Sequence, residues 1–203
     1  MKKEDQVKLF DKQAKRYAKR NSQHSFDKTL REQLFQHISG DILEVSVGTG
    51  TNFPYYHQAD SITAVDFSER MLEYAKLAAE ENDLPVELHL GDVEQMDFPR
   101  NQFDCVVSTL SLCSYPNPEH VLSQLSKWCK EEGSILLLEH GMSSNALYRW
   151  LQNRVNTFVK KRGGCHMNRD IIGLVEAAPM TIDDAEHRKL GTVHLLWCTP
   201  NHK

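Results

Sequence analysis

The stretch Leu43 to Phe53, LEVSVGTGTNF, sets an acid, Glu44, at the end of an apolar run and follows it with Gly48 and Gly50. Glycine lacks a Cβ and tolerates φ > 0, so a ligand at such a turn touches main chain directly. Two more acids stand in comparable places: Asp66 after SITAV, and Asp92 after HLG with Val93 beyond it. An acid at the Asp66 position accepts the hydroxyls of a ribose. One at Asp92 accepts from an adenine amino group while Val93 offers a backbone amide. Each acid alone would serve equally as a helix N-cap, and two glycines alone as an ordinary tight turn.

What must position these residues is a set of short β-type runs: 41–47, 61–66, 85–92, 103–110 and 134–140, each closed by polar or glycine signals. Between them the apolar spacing turns helical, as in Met71, Leu72, Ala75, Ala78 and Ala79, with Ser68 a natural N-cap. Alternation of this kind predicts βαβ units, a parallel sheet and helices on both faces. The tail departs from it, because PMTIDDAEHRKLGTVHLLWCTP reads as two strands joined near Lys189 to Gly191, an antiparallel hairpin at the sheet edge. In an open α/β sheet, ligands lie outside the carboxyl ends of the strands where strand order reverses, which brings the three acids and the glycine turn together. Acids converging there without a basic phosphate clamp suit a ligand with an adenosine, an ammonium and a sulfonium but no phosphates. S-adenosylmethionine is that ligand. A dinucleotide fingerprint would need a third glycine where Phe53 stands, and a pyrophosphate would meet Glu44.

Composition bounds the partners. The chain has 203 residues and a formal net charge of −4, which disfavours a general nucleic-acid binder. Charge is nonetheless segregated. Residues 4–20 carry an apolar stripe of Val7, Phe10, Ala14 and Tyr17 among Lys8, Lys12, Lys15, Arg16, Lys19 and Arg20. Residues 144–162 set Leu147, Trp150, Leu151, Val155 and Phe158 against Arg149, Arg154, Lys160, Lys161 and Arg162. Either both are solvated helices packing by one face, or they form a basic lid for an anionic or membrane-resident substrate. Five cysteines without a C-x-x-C, and histidines that nowhere repeat at metal-ligand spacing, predict a reducing cytoplasmic setting and no metal. Neither an export signal nor a membrane span is expected. One domain is expected, with residues 1–39 as a helical lid, 40–140 as the cofactor core and 141–203 as substrate-side helices and hairpin.

Several stretches match, in order, the motifs of a known family. FDKQAKRY resembles F-D-x-x-A-x-x-Y, EVSVGTG resembles E-V-G-x-G-T-G, and DFSERML resembles D-x-S-x-x-M-L. GDVEQMDFP resembles an acid-ended third strand, and FDCVVSTLSLCSYPNPEHVL a fourth strand with its following helix. From about Phe10 to Pro200 the chain therefore resembles class I S-adenosylmethionine-dependent methyltransferases of the ubiquinone and menaquinone group. LLLEHG and GGCHMNRD resemble, more loosely, relatives that act on thiols or phospholipid head-group amines. The resemblance implies a Rossmann-like, mostly parallel seven-stranded sheet with an antiparallel C-terminal hairpin. It implies methyl transfer from S-adenosyl-L-methionine to a thiol, amine, quinol or lipid head group.

By the same resemblance Gly48 and Gly50 flank the methionine tail, with Ser46 and Asn52 in the same turn and Glu44 oriented toward the ammonium. Asp66 holds the ribose, Phe67 and Met71 pack on the adenine, and Asp92 with Val93 reads its edge. Thr109 and Leu110 face the transferable methyl, and Tyr17 closes over the carboxylate. Ser46 replaces the family's first loop glycine; its hydroxyl either crowds the methionine moiety or donates to its carboxylate. A sulfonium-borne methyl needs chiefly alignment and exclusion of water, so a general base is required only for a protonated acceptor. His140, closing LLLEH, is the first candidate for that base or else a hydrogen-bonded structural residue. Cys165 and His166 border the acceptor or form a glycine turn ahead of a helix starting near Asn168; Cys113 reads as a small buried hydrophobe, and Tyr115 as pocket wall or core. The competing readings are a nicotinamide-dependent oxidoreductase, a non-catalytic S-adenosylmethionine-binding protein and an RNA methyltransferase.

Overall fold

Alternating burial along the apolar runs builds the sheet. In β1 (Gly40–Val45), Leu43 and Val45 join the core on one face while Ile42 joins the core on the other. In β5 (Cys129–His140), Ile135 and Leu137 divide from Leu136 and Leu138 in the same way. Strands buried on both faces are what a helix-covered parallel sheet requires. The computed structural model describes residues 2–21 and 27–202, with the side chains of Arg20 and Asn21 outside the description. The side chain of Arg20 in the expected basic set, residues 1 and 22–26 of the expected lid, and residue 203 of the expected C-terminal segment thus lie outside the description.

The remaining strands are β2 (Ala59–Asp66), β3 (Val86–Leu90), β4 (Phe103–Thr109), β6 (Met180–Arg188) and β7 (Val193–Pro200). They form one seven-stranded sheet in the order β3-β2-β1-β4-β5-β7-β6. The first five strands pair in parallel, and β7 runs antiparallel to both β5 and β6. The expected hairpin turns at Lys189, Leu190 and Gly191, all with positive φ. Strand order reverses between β1 and β4, so the crevice falls where the glycine turn leaves β1.

Among the described residues six α-helices surround the sheet: α1 (Lys3–Asn21), α2 (Lys28–Leu34), α3 (Glu69–Glu81), α4 (Pro118–Trp128), α5 (Ala146–Gly163) and α6 (Ile171–Glu176). Residues of α2 and α3 pack on one face, those of α4 and α6 on the other. Ser68 caps α3, its hydroxyl accepting from Met71 N–H at 3.1 Å. Two expectations need correction. The third strand stops at Leu90, and Asp92 instead caps a 3₁₀ turn over Val93–Gln95, accepting from Glu94 N–H. The helix expected near Asn168 begins at Ile171, because Asp170 supplies the cap by accepting from Gly173 N–H.

Candidate active site at the sheet's carboxyl edge

The turn after β1 is held open by two kinds of glycine. Gly48 has φ +58° and nothing within 4 Å of where a Cβ would stand, so its main chain is bare toward the crevice. Gly50, at φ +74°, has Phe53 and Ala78 pressed against it. A Cβ there would collide with both, and Gly50 is not among the residues that line the cleft. Ser46 also has positive φ, +51°, and its hydroxyl meets the Tyr115 hydroxyl at 2.6 Å. That bond ties the turn to the segment following β4 and offsets the strain of a Cβ in the left-handed region.

Asp66, at the end of β2, closes the turn. Its Oδ2 accepts from Gly48 N–H and its Oδ1 from Ser68 N–H, each at 2.9 Å. Burial pushes this carboxyl up to about 6, with the two backbone bonds pulling the other way. Glu44 is buried more deeply: burial raises it to about 7 against the hydrogen bonds of Tyr56 and Asn52. Tyr56 donates to Oε2 at 2.8 Å and Asn52 to Oε1 at 2.7 Å. Glu44 and Asn52 therefore do not line the cleft. They form a buried frame beneath it, because both oxygens of Glu44 are spent on its neighbours.

That frame holds a residue the sequence reading missed. Arg31 of α2 is buried; its Nη1 donates to Asn52 Oδ1 and, at 3.4 Å, to Thr109 Oγ1. Its Nε and Nη2 donate to Asp27 Oδ2 at 3.2 and 2.8 Å. The other oxygen of Asp27 is buried without a hydrogen-bond partner among the described residues. Both residues line the cleft with Phe10, Tyr17, Ser46, Gly48, Asp66, Phe67, Met71, Thr109 and Leu110. The enclosed space is about 130 Å³.

The far wall is the turn after β4. Glu139 at the end of β5 lies buried and accepts from Ser108 Oγ at 2.9 Å, Ser111 N–H at 3.1 Å and Leu112 N–H at 3.2 Å. Those bonds clamp the backbone around Leu110, which has φ +53° and is turned into the cleft. Its neighbour His140 does not line the cleft. The sulfurs of Cys113 and Cys165 and a ring nitrogen of His140 instead lie within 4.8 Å of one another. The Cys165 thiol is lowered by hydrogen bonds from Cys113 and His140, and Cys113 is raised in turn. Burial would lower His140, but its bond to Cys165 leaves it raised. Two sulfurs and a nitrogen at this separation could hold a thiophilic ion, and they come from three separate segments, so no sequence spacing announced them. His166 stands beside this cluster, its N–H donating to Cys113 O at 2.9 Å and its ring meeting Asn156.

Helix α1 lies across the open side. Lys3 Nζ is 2.8 Å from Asp92 Oδ1 and 4.6 Å from the centre of the Phe67 ring. Phe10 meets Phe67 edge-on at 5.3 Å, Ser68 Oγ donates to Asp11 at 2.6 Å, and Gln6 donates to Ser114 O at 3.1 Å. Asp92 is accordingly paired with Lys3 and outside the cleft lining, and Val93 is buried in the core. Both depart from their expected place at the ligand's edge.

The sheet order and the crevice at its switch point are those of the Rossmann-like fold that class I methyltransferases share. The solved structure of an S-adenosylmethionine-dependent methyltransferase from Mesorhizobium loti matches it with a TM-score of 0.67 at 14% identity, over 85% of this chain and 97% of that one. Residues 43–137, a little under half of the chain, match the family described as Methyltransferase domain, whose methyl donor is S-adenosylmethionine. A phosphatidylethanolamine N-methyltransferase of Cereibacter sphaeroides is 39% identical over 115 residues, 54% of this chain and 57% of that protein. A thiol S-methyltransferase of Rattus norvegicus is 29% identical over 168 residues, 80% and 64% respectively. The chain thus spans less than two thirds of the length of either relative.

Proposed function

We propose that this protein moves the methyl group of S-adenosylmethionine to a nucleophilic atom of a small-molecule or lipid-borne acceptor. The observation that carries the reading is a cleft with three matched ends. The Asp66 carboxylate keeps lone pairs for ribose hydroxyls, Phe67 and Met71 flank a flat ring, and Asp27 and Arg31 face an amino-acid tail. The unpartnered Asp27 oxygen fits an ammonium, and the Arg31 guanidinium fits a carboxylate. A buried acceptor left unpaired is costly, so a ligand donor there has a ready role. Ser46 and Gly48 contact the tail, and Glu44 and Asn52 act by holding Arg31.

The bound donor supplies an electrophilic methyl on a sulfonium. The chain's residues align the acceptor and exclude water. Thr109 and Leu110, fixed by Glu139, form the wall at which the acceptor meets the methyl. Tyr17 separates the cleft from a second cavity of about 320 Å³ between α1 and α5, lined by Gln13, Arg16, Phe158, Val159, Arg162 and Cys165. The acceptor enters by this cavity, and the Cys165–His140 pair takes a proton when the acceptor arrives protonated. Helix α1 is a lid. The enclosed cleft falls short of the roughly 300–1,000 Å³ of small-molecule sites, so α1 withdraws to admit the donor, releasing Asp92 from Lys3. The relatives named for an amine of phosphatidylethanolamine and for thiols bracket the acceptor classes. The described cysteines are all free, which fits the proposed reducing, cytoplasmic setting.

The test is a panel of thiols, amines, quinols and phospholipids assayed for S-adenosylhomocysteine release. Turnover confined to one acceptor class supports the reading. No release with any class, while S-adenosylhomocysteine still binds, favours a binding protein without catalysis and overturns it.

A further inference from the structure

Helix α5 is amphipathic the wrong way round. Its polar side faces the protein. Gln152, 3% exposed, accepts from Ser143 N–H at 2.8 Å and donates to Gly141 O at 3.0 Å and Met167 O at 2.9 Å. One turn on, Asn156 accepts from Met167 N–H at 2.9 Å, and Asn153 accepts from Asn168 at 2.8 Å. These bonds to backbone and amide groups fasten the helix without any apolar seam. Its apolar side faces out: Leu147 is 76% exposed, Trp150 56% and Phe158 58%, with Leu151 and Val155 between them. Leu147, Leu151, Val155 and Phe158 follow i, i+4, i+8, i+11, so they form one stripe. An ordinary surface helix does the opposite, and large exposed apolar patches mark interaction sites.

Charge says what covers this face. The helix carries Arg149, Arg154, Lys160, Lys161 and Arg162 and no acidic residue, in a chain whose formal net charge is −4. The cations flank the stripe: Arg154 lies over the Trp150 ring at 5.4 Å and Arg162 over the Phe158 ring at 4.5 Å. Aromatic and aliphatic side chains interleaved with cations match the boundary of an anionic bilayer, where rings enter the head-group layer and cations meet lipid phosphates. Among the described residues no helix is long and apolar enough to cross a membrane, so such contact would be peripheral.

We propose that the outward face of α5 seats the protein on an anionic lipid surface. Phe158 and Arg162 belong both to this face and to the rim of the cavity bordered by Tyr17 and Cys165. Seating α5 therefore turns that cavity toward the bilayer. This goes beyond methyl transfer and does not depend on it, since docking requires neither donor nor acceptor.

The experiment is co-sedimentation of the intact chain with phosphatidylcholine vesicles, with and without phosphatidylglycerol, without S-adenosylmethionine. The variant is Leu147→Glu/Trp150→Glu, two positions outside the cleft and cavity, and retained S-adenosylhomocysteine binding checks its fold. Binding that needs phosphatidylglycerol, weakens in high salt and falls at least about tenfold in the variant supports the proposal. Failure to bind anionic vesicles, or equal binding by the variant, overturns it. So does a lipid-free dimer that the variant converts to monomer, which would make the face a contact between copies of the chain.

Discussion

Asp66→Asn is the most informative single change, because it alters charge and hydrogen-bond direction while keeping shape. In the native chain both carboxylate oxygens accept from backbone N–H groups at 2.9 Å, Gly48 on one and Ser68 on the other. An asparagine must turn its NH₂ toward one of them, leaving a buried donor unsatisfied at a cost of about 1–3 kcal/mol. It also exchanges charge-assisted bonds to the ribose for neutral ones about half as strong. Together these weaken S-adenosylhomocysteine binding by about 10- to 100-fold at pH 7. Burial raises the native carboxyl to about 6, and the proton must leave before both oxygens accept. Native affinity therefore falls about tenfold between pH 7 and pH 5, and that slope vanishes in the variant. Isothermal titration calorimetry from pH 5 to 8 reads both effects. A variant within about threefold of native affinity at pH 7, a difference of about 0.7 kcal/mol, refutes the ribose assignment.

Three other perturbations test separate parts of the site. Arg31→Lys keeps a cation beside Asp27 but loses the planar fork, and is expected to weaken S-adenosylhomocysteine about tenfold while leaving adenosine, which has no carboxylate, unchanged in calorimetry. Glu44 has a folded pKa of about 7, raised by burial above the 4.5 expected unfolded, so its contribution is fully present below pH 4.5 and lost as pH rises through 7. Denaturation across pH 5 to 8 should show a Glu44 contribution to the fall in native stability of about 2–3 kcal/mol that Glu44→Gln lacks. Glu139→Gln keeps an oxygen toward Ser108 and Ser111 but turns an NH₂ against Leu112 N–H and loses the charge on both bonds, and is expected to cost about 1–3 kcal/mol, lowering the melting temperature by a few degrees in calorimetric scans.

The strands, the C-terminal hairpin and the glycine turn were legible because each rests on a local signal: period-two burial, a turn cluster, or a backbone that needs φ > 0. Eight expected cofactor residues meet in the cleft: Tyr17, Ser46, Gly48, Asp66, Phe67, Met71, Thr109 and Leu110. Most sit at strand ends or in the turns that follow, where topology alone brings them together. Arg31 was not legible, since α2 has only seven residues and its guanidinium reaches partners in two distant segments. Nor did the sequence reveal that Glu44 would spend both oxygens on Tyr56 and Asn52, or that Lys3 would engage Asp92. Those outcomes depend on how α1 and the 52–56 turn pack. His140 carried a signal for proton chemistry, yet only the meeting of three segments set it beside Cys113 and Cys165.

The central claim is that the crevice between the Gly48 turn, Asp66 and Arg31 receives a phosphate-free adenosyl amino acid. Titrating the protein in parallel with S-adenosylhomocysteine and NAD tests it most directly. Saturable one-to-one binding of S-adenosylhomocysteine with no heat from NAD is the predicted result. Binding of NAD, or none of S-adenosylhomocysteine, would contradict it.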